Sequence, residues 1–347
     1  MTNIFVKSEF APLKRVVMAQ SEFAFPAKEA PTDDEFLTEE TLALYASVDT
    51  LGKNFKDVFP ERQQQWELER ANLKKVLEKY GVEVQVPRRL TDYEKEVGKE
   101  DGYSNFFVRD PFFTIGHFLI EGSLRFPHRR NEVLPVRNLL AQEANENQCF
   151  YVSIPKPDMA DGLDSEAGPF LEGGDVLVLD KTIFVGNSGL ASNKNGVQWL
   201  RNLASNFDYT VVEVPLHPTI LHLDCALSLV REGLMIVCEE ALIDGIPKQL
   251  KDWDKIHVSL EDAAKLATNG LPINEEVYIT DKEFTWIGEQ LAKRGITVEY
   301  VDFTISRSFG VLLDVVHNPY YARISRNYLS PLKKSMNNEQ PEMAHYL

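Results

Sequence analysis

The sequence predicts an α/β protein in which one supersecondary unit recurs five times: strand, turn, strand, amphipathic helix, short closing strand. Two observations predict it. Short segments rich in β-branched residues recur along the chain, three of them ending in proline, and apolar strand pairs or helically spaced apolar faces precede them. A unit of this size cannot bury a core alone, so the units must pack on one another. The 347 residues are 44% hydrophobic and 26% charged, which supplies enough apolar side chains for that core. No Gly/Ser/Pro linker divides the chain, so residues 1–347 are expected to form a single domain.

Taken in order, the first helix runs from Glu61 to Tyr80. It places Trp66, Leu68, Leu73, Val76 and Leu77 near one face and stops at Gly81. Its closing strand is Val82–Pro87. The next unit pairs Phe106–Phe113 with His117–Glu121 and closes at Phe150–Pro155. The third pairs Asp175–Leu179 with Thr182–Val185 and closes at Tyr209–Pro215. The fourth pairs Ala226–Val230 with Leu234–Cys238 and closes at Lys255–Val258. The last helix spans Asp281–Arg294, with Phe284, Ile287 and Leu291 inward and Gly295 as its stop, before the strand Ile296–Val301. Residues 31–60 are irregular and acidic, as an insertion or lid loop would be.

Charge narrows the partners. Against 37 Lys+Arg stand 53 Asp+Glu, a formal charge of −16, which a nucleic acid or an anionic membrane would repel. The longest basic run, Arg125 to Arg130, is broken by Phe126, Pro127 and His128. The first residues lack a basic, then long apolar, leader, and no window approaches the ~18 apolar residues of a membrane span. Cys149, Cys225 and Cys238 lack CxxC spacing, and they read as small buried hydrophobes in strand-like runs. A cytoplasmic location is the expectation.

Three places put ionisable groups where apolar strands are expected. Arg109-Asp110 sits inside a run of four Phe and a Val, as a functional pair or as a local ion pair at a strand end. Glu172 and Asp175 flank Gly173-Gly174, a step that permits close backbone approach or an ordinary turn. On a strand, His222 and Asp224 would face one side and Cys225 the other. Several carboxylates around one His suit a cation. A metal site would normally show more His and tighter spacing, whereas a guanidinium meets paired carboxylates bidentately. No metal and no cofactor is expected.

These strings resemble the guanidino-group-modifying family (penteins), whose members include arginine:glycine amidinotransferase, inosamine-phosphate amidinotransferase and arginine deiminase. Ser8-Glu9-Phe10-Ala11-Pro12-Leu13-Lys14-Arg15-Val16-Val17 is similar to the family's opening strand. Arg109-Asp110, Glu172-Gly173-Gly174-Asp175 and His222-Leu223-Asp224 match its Arg-Asp step, acidic turn and His-x-Asp. Pro155-Lys156-Pro157-Asp158-Met159-Ala160-Asp161 is similar to a stretch of the amidinotransferase branch, and the likeness runs from Phe10 to Val301. The chain has no room for the helical bundle usual in arginine deiminases. The resemblance implies a five-bladed α/β propeller and a guanidino substrate such as arginine. A transferase would add an acceptor amine, and relatives are often homodimers.

By the same resemblance, Asp110 and Asp224 grip the guanidinium nitrogens, with Glu172 or Asp175 assisting and Arg109 beside them. His222 gives a proton to the departing amine and takes one from the acceptor. The family completes this with a cysteine in a glycine-rich stretch near its C-terminus. Here that stretch is Thr304-Ile305-Ser306-Arg307-Ser308-Phe309-Gly310-Val311, and it places Val311 at the nucleophile. A valine forms no adduct. Ser306 and Ser308 are poor substitutes, and an inward Arg307 would repel a cationic substrate. Three readings stand: an amidinotransferase-like enzyme with a changed nucleophile, a guanidinium-binding protein without turnover, and an arginine deiminase-type hydrolase.

Overall fold

The structure, a computed structural model, describes residues 4–27, 49–147, 149–158, 160, 162 and 167–309. Four three-stranded sheets share one plan: an antiparallel hairpin, then a crossover to a third strand parallel to the hairpin's second. They comprise Phe112–Ile115, Phe118–Glu121 and Phe150–Ser153; Val176–Leu179, Thr182–Asn187 and Thr210–Pro215; Leu227–Arg231, Leu234–Val237 and Asp254–His257; and Leu271–Asn274, Val277–Asp281 and Thr297–Val301. A fifth parallel pair, Arg15–Val17 with Glu83–Gln85, is joined through the helix Pro60–Lys79. All five expected closing strands are therefore present, each parallel to its neighbour, as a helix or long crossover dictates. A separate antiparallel pair joins Glu22–Ala24 to Tyr103–Asn105.

Local chemistry sets the boundaries. Gly81 and Gly295 follow helices at φ +72° and +81°, and Val82 N–H donates to the Leu77 carbonyl, closing the helix end. In the Pro60–Lys79 helix Trp66, Leu73 and Leu77 are buried, but Leu68 is 57% exposed, one turn-step off the inner face. Asp281 ends a strand rather than starting a helix: a 3-10 turn at Lys282–Phe284 intervenes before the helix Thr285–Lys293. Phe284, Ile287 and Leu291 are nevertheless buried, as their spacing requires. The Cys238–Trp253 crossover carries two 3-10 turns in place of an α-helix.

Three expected strands begin later than their apolar character suggests. Phe106–Pro111 is irregular and the strand starts at Phe112. Gly173–Asp175 is a 3-10 turn before Val176, and Leu223–Cys225 is another before Leu227. Each displaced stretch carries one of the charged motifs. Of residues 31–60, only 49–60 are among those described, and Phe55–Val58 there forms a short helix. In the stretch 155–161, Met159 and Asp161 lie outside the described residues.

Two apolar cores form. The larger draws on all five units and includes Trp66, Phe106, Phe184 and Phe309; the smaller lies between the second and third, around Phe113, Val176 and Val185. Phe309 packs between Phe23, Phe55, Trp66 and Phe106, with ring centroids 4.9 to 5.3 Å away. Among the described residues, no helix is long and apolar enough to cross a membrane.

Candidate functional site

The late strand starts place the three charged motifs side by side. The Asp110 carbonyl accepts the Gly173 N–H at 3.1 Å, and its Oδ1 accepts the Gly174 N–H at 3.0 Å. This approach explains the two glycines. A Cβ on Gly174 would lie 2.8 Å from Asp110 Oδ1 and 2.8 Å from His222 Cγ, and one on Gly173 would lie 1.9 Å from the Arg109 carbonyl. Only a residue without a side chain lets turn, acid and imidazole meet.

His222 is extended and precedes the 3-10 turn Leu223–Cys225. Its Nε2 lies 3.0 Å from Glu172 Oε2 and 3.7 Å from Asp110 Oδ1. Asp175 Oδ1 accepts the Leu223 N–H at 3.0 Å, tying the two turns together. Asp110, Glu172, Asp175 and His222 are all buried. Burial opposes charge on His222, but Asp110, Glu172 and Asp175 outweigh it and hold the imidazole protonated well above its ordinary range. Burial would raise Asp110, yet His222, Arg129 and the Gly174 N–H keep its carboxyl below the usual range. For Asp175 burial outweighs the opposing pull of His222 and the Leu223 N–H and pushes the carboxyl up to about 7.

The residue that sequence reasoning missed is Arg129. Its Nη2 donates to Asp110 Oδ2 at 2.7 Å and to Glu132 Oε2 at 3.0 Å; its Nη1 donates to Glu172 Oε2 at 3.1 Å and its Nε to Glu132 Oε1 at 3.1 Å. Phe107 covers the guanidinium at 4.4 Å from its ring centroid. Polar atoms of Asp110, Glu172 and His222 lie within 4.8 Å of one another, a spacing that a metal ion could span. The guanidinium seated on both carboxylates shows that this donor set suits a planar cation rich in N–H donors.

Asp224 does not join this group. The turn at Leu223–Cys225 replaces the strand on which His222 and Asp224 were expected to share a face, so the two side chains part. Asp224 Oδ2 lies 3.5 Å from Arg109 Nε, and Glu9 Oε2 lies 3.7 Å from Arg109 Nη1. Arg109 also donates from Nη2 to the Val176 carbonyl at 2.9 Å. Arg109 is thus buried among protein partners. This second cluster backs onto the first and lines a small cavity with Ser228, Thr268 and Asn269. Asp224, 9% exposed, is the least buried of the four acids.

The alternation that turned Cys225 away from the site does not apply in a turn. Its half-buried Sγ lies 3.6 Å from Asp224 Oδ1, where an anion opposes a thiolate. None of the three cysteines lies within a strand; Cys149 and Cys225 are half-buried and Cys238 is buried. Ser306 and Ser308 serve the fold instead. Ser306 Oγ donates to Glu69 Oε2 at 2.8 Å, and Ser308 Oγ accepts from Arg62 Nη2 at 2.9 Å. Arg307 turns to Asp281, 3.0 Å away, so it does not oppose a ligand. Val311 lies outside the described residues.

A family model for N,N dimethylarginine dimethylhydrolase, eukaryotic, matches residues 36–299. Inosamine-phosphate amidinotransferase 1 of Streptomyces griseus is 24% identical over 350 residues, covering 89% of this chain and 94% of its own. The solved structure of SxtG, an amidinotransferase from Microseira wollei, superposes with a TM-score of 0.75 at 19% identity, over 93% of this chain and 98% of that one. A DDAH from Pseudomonas aeruginosa complexed with citrulline gives a TM-score of 0.61 at 15% identity, over 87% and 97%. The hairpin-and-crossover fold is thus the one those proteins share, and the chain belongs to the N,N dimethylarginine dimethylhydrolase family, within the guanidino-group-modifying proteins.

Proposed function

We propose that the chain binds a guanidino compound of the arginine type and acts on it as an amidinotransferase does, with the covalent cysteine replaced by Val311. The observation that carries this is the convergence of Asp110, Glu172 and His222, 50 and more residues apart in sequence, around a site whose buried carboxylates already match one guanidinium. Asp110 and Asp224, on adjoining clusters, take the ligand's nitrogens. Glu172 and Asp175 assist, and Arg109 orients Asp224. The five parallel strand pairs are read as five blades of one α/β propeller comprising residues 1–347.

Without a thiol at position 311, transfer requires direct attack. The acceptor amine's nitrogen bonds to the guanidinium carbon as the bond to the departing amine breaks. His222 protonates that amine and receives the proton shed by the acceptor. Arginine and an acceptor amine are then the small-molecule partners of a cytoplasmic, homodimeric protein. The position of Cys225 beside Asp224 favours a second reading, binding without turnover, since the one half-buried thiol near the site is the one an acid suppresses. A deiminase-type hydrolase needs the same missing thiol.

Incubation with arginine and glycine, followed by mass spectrometry, separates these readings. Ornithine with a new guanidino product, lost in His222→Ala, supports transfer; citrulline supports hydrolysis. A melting point raised by arginine with no product leaves binding alone, and about 2.7 kcal/mol of stabilisation is expected at a hundredfold excess over Kd. No shift with any guanidino compound sinks the proposal.

A further inference from the structure

We infer that Glu69 is a positioning residue: from the Pro60–Lys79 helix it seats the residues from Thr304 to Phe309 and, through them, holds the stretch that carries Asp110 in register for a guanidino ligand. The inference rests on the function proposed above.

Thr304–Arg307 is a single helical turn, too short to hold by its own bonds, and Phe303 before it gives no side-chain cap. The cap comes from Glu69, 236 residues before Ile305. Its Oε1 accepts the Ile305 N–H at 2.7 Å, and its Oε2 accepts the Ser306 N–H at 3.1 Å and the Ser306 hydroxyl at 2.8 Å. A carboxylate is favoured at the positive end of a helical turn. Two consecutive N–H groups on the two oxygens of one carboxylate fix both the rotation and the height of the turn. Arg62 Nη2 on Ser308 Oγ at 2.9 Å, and Arg307 Nη1 on Asp281 Oδ2 at 3.0 Å, hold its far end.

The seated residues reach the site by two routes that meet at Phe106. Ser306 Oγ accepts Arg70 Nη2 at 3.3 Å, and the Arg70 guanidinium lies 5.6 Å from the Phe106 ring centroid. The Phe309 ring lies 5.3 Å from the same centroid. Phe106 packs on Phe107 at 4.0 Å, and the two open the irregular stretch on which Asp110 stands. Past Phe309 the chain leads to position 311, the place of the family's nucleophile by resemblance.

Stability alone does not account for a carboxylate here. Glu69 is buried, and burial pushes its carboxyl above the ordinary range against the pull of Ile305, Ser306 and Arg70. A raised folded value means that ionisation of Glu69 opposes folding at neutral pH. A neutral glutamine escapes that cost, yet it presents one acceptor oxygen where the turn takes two.

E69Q and E69A are compared with wild type by calorimetry of arginine binding, by melting point, and by hydrogen exchange of peptides spanning 303–309 and 106–111. L200A, in the smaller core, is the control for lost stability. Both Glu69 variants are expected to weaken arginine binding, E69A by about tenfold, and to speed exchange in both peptides. E69Q is expected to melt close to wild type, whereas L200A melts lower and binds arginine as wild type does. Faster exchange in 303–309 alone, with wild-type affinity, would show a cap that serves only its own turn and overturns the inference. So does wild-type exchange in both peptides, or a loss of affinity in L200A as large as that in E69A. If wild type binds no guanidino compound, the functional proposal fails, and exchange at 106–111 still decides whether Glu69 acts on the Asp110 stretch. Should E69A not fold, E69Q decides it alone.

Discussion

The His222 imidazole bonds through Nε2 to Glu172 Oε2 at 3.0 Å across a gap of 50 residues in sequence, and both side chains are buried. Two turns of the same kind, Gly173–Asp175 and Leu223–Cys225, are bonded to each other and bring these residues together.

That contact has a pH signature. The pKa of His222 is raised in the folded state, so its contribution to stability is complete below the unfolded value near 6.5 and is lost as pH rises through the higher folded value. The melting-point difference between wild type and His222→Gln is therefore expected to be constant in mild acid and to shrink in alkali. A difference independent of pH would contradict the protonated imidazole.

Asp175 gives a second, separable dependence. Its carboxyl is pushed by burial to about 7 from an ordinary 3.8, so ionising it costs stability as pH rises across that interval. Its Oδ2 has no hydrogen-bond partner among the described residues. Asp175→Asn can keep the bond from Leu223 N–H through its carbonyl and cannot ionise. Its melting point is expected to gain on wild type from pH 4 to pH 7, by on the order of a few kcal/mol in stability. A fixed offset across that range would refute the buried neutral acid.

Gly174→Ala tests the packing of the site. The added methyl would sit 2.8 Å from both Asp110 Oδ1 and His222 Cγ. Overpacking of this kind costs about 1–3 kcal/mol, read from the denaturant midpoint, and arginine binding should fall with it. An alanine variant of wild-type stability would mean that the turn is not held against Asp110.

Phe309→Ala removes the ring on which Phe23, Phe55, Trp66 and Phe106 converge. A loss of about 3–5 kcal/mol is expected by chemical denaturation. A loss below 1 kcal/mol would show that the cluster closes over the gap.

The regular parts of the fold were legible because their patterns are local. β-branched alternation marks all five closing strands, and the glycines after the first and last long helices mark their ends. The motifs' residues were legible as charges in apolar company, but their geometry was not. Alternation paired His222 with Asp224, whereas a 3-10 turn redirects the chain at Leu223, and residue period alone cannot reveal a turn that carries no proline or glycine. Arg129 was hidden inside a short basic run broken by Phe126, Pro127 and His128. Its signal was Glu132, three residues on and just before the apolar Val133–Val136, a spacing that lets an acid and a base meet. Glu9 and Glu69 gave no such sign, since their partners lie 100 and more residues away.

Glu69, on the Pro60–Lys79 helix, accepts the N–H groups of Ile305 and Ser306 at 2.7 and 3.1 Å. This helix is therefore completed by a segment synthesised 236 residues later. Until Phe309 and its neighbours emerge, the aromatic slot around Trp66 stays open and Glu69 lacks these backbone donors. A nascent chain halted before Thr304 should bind chaperones through that slot and release them once the following few residues are added.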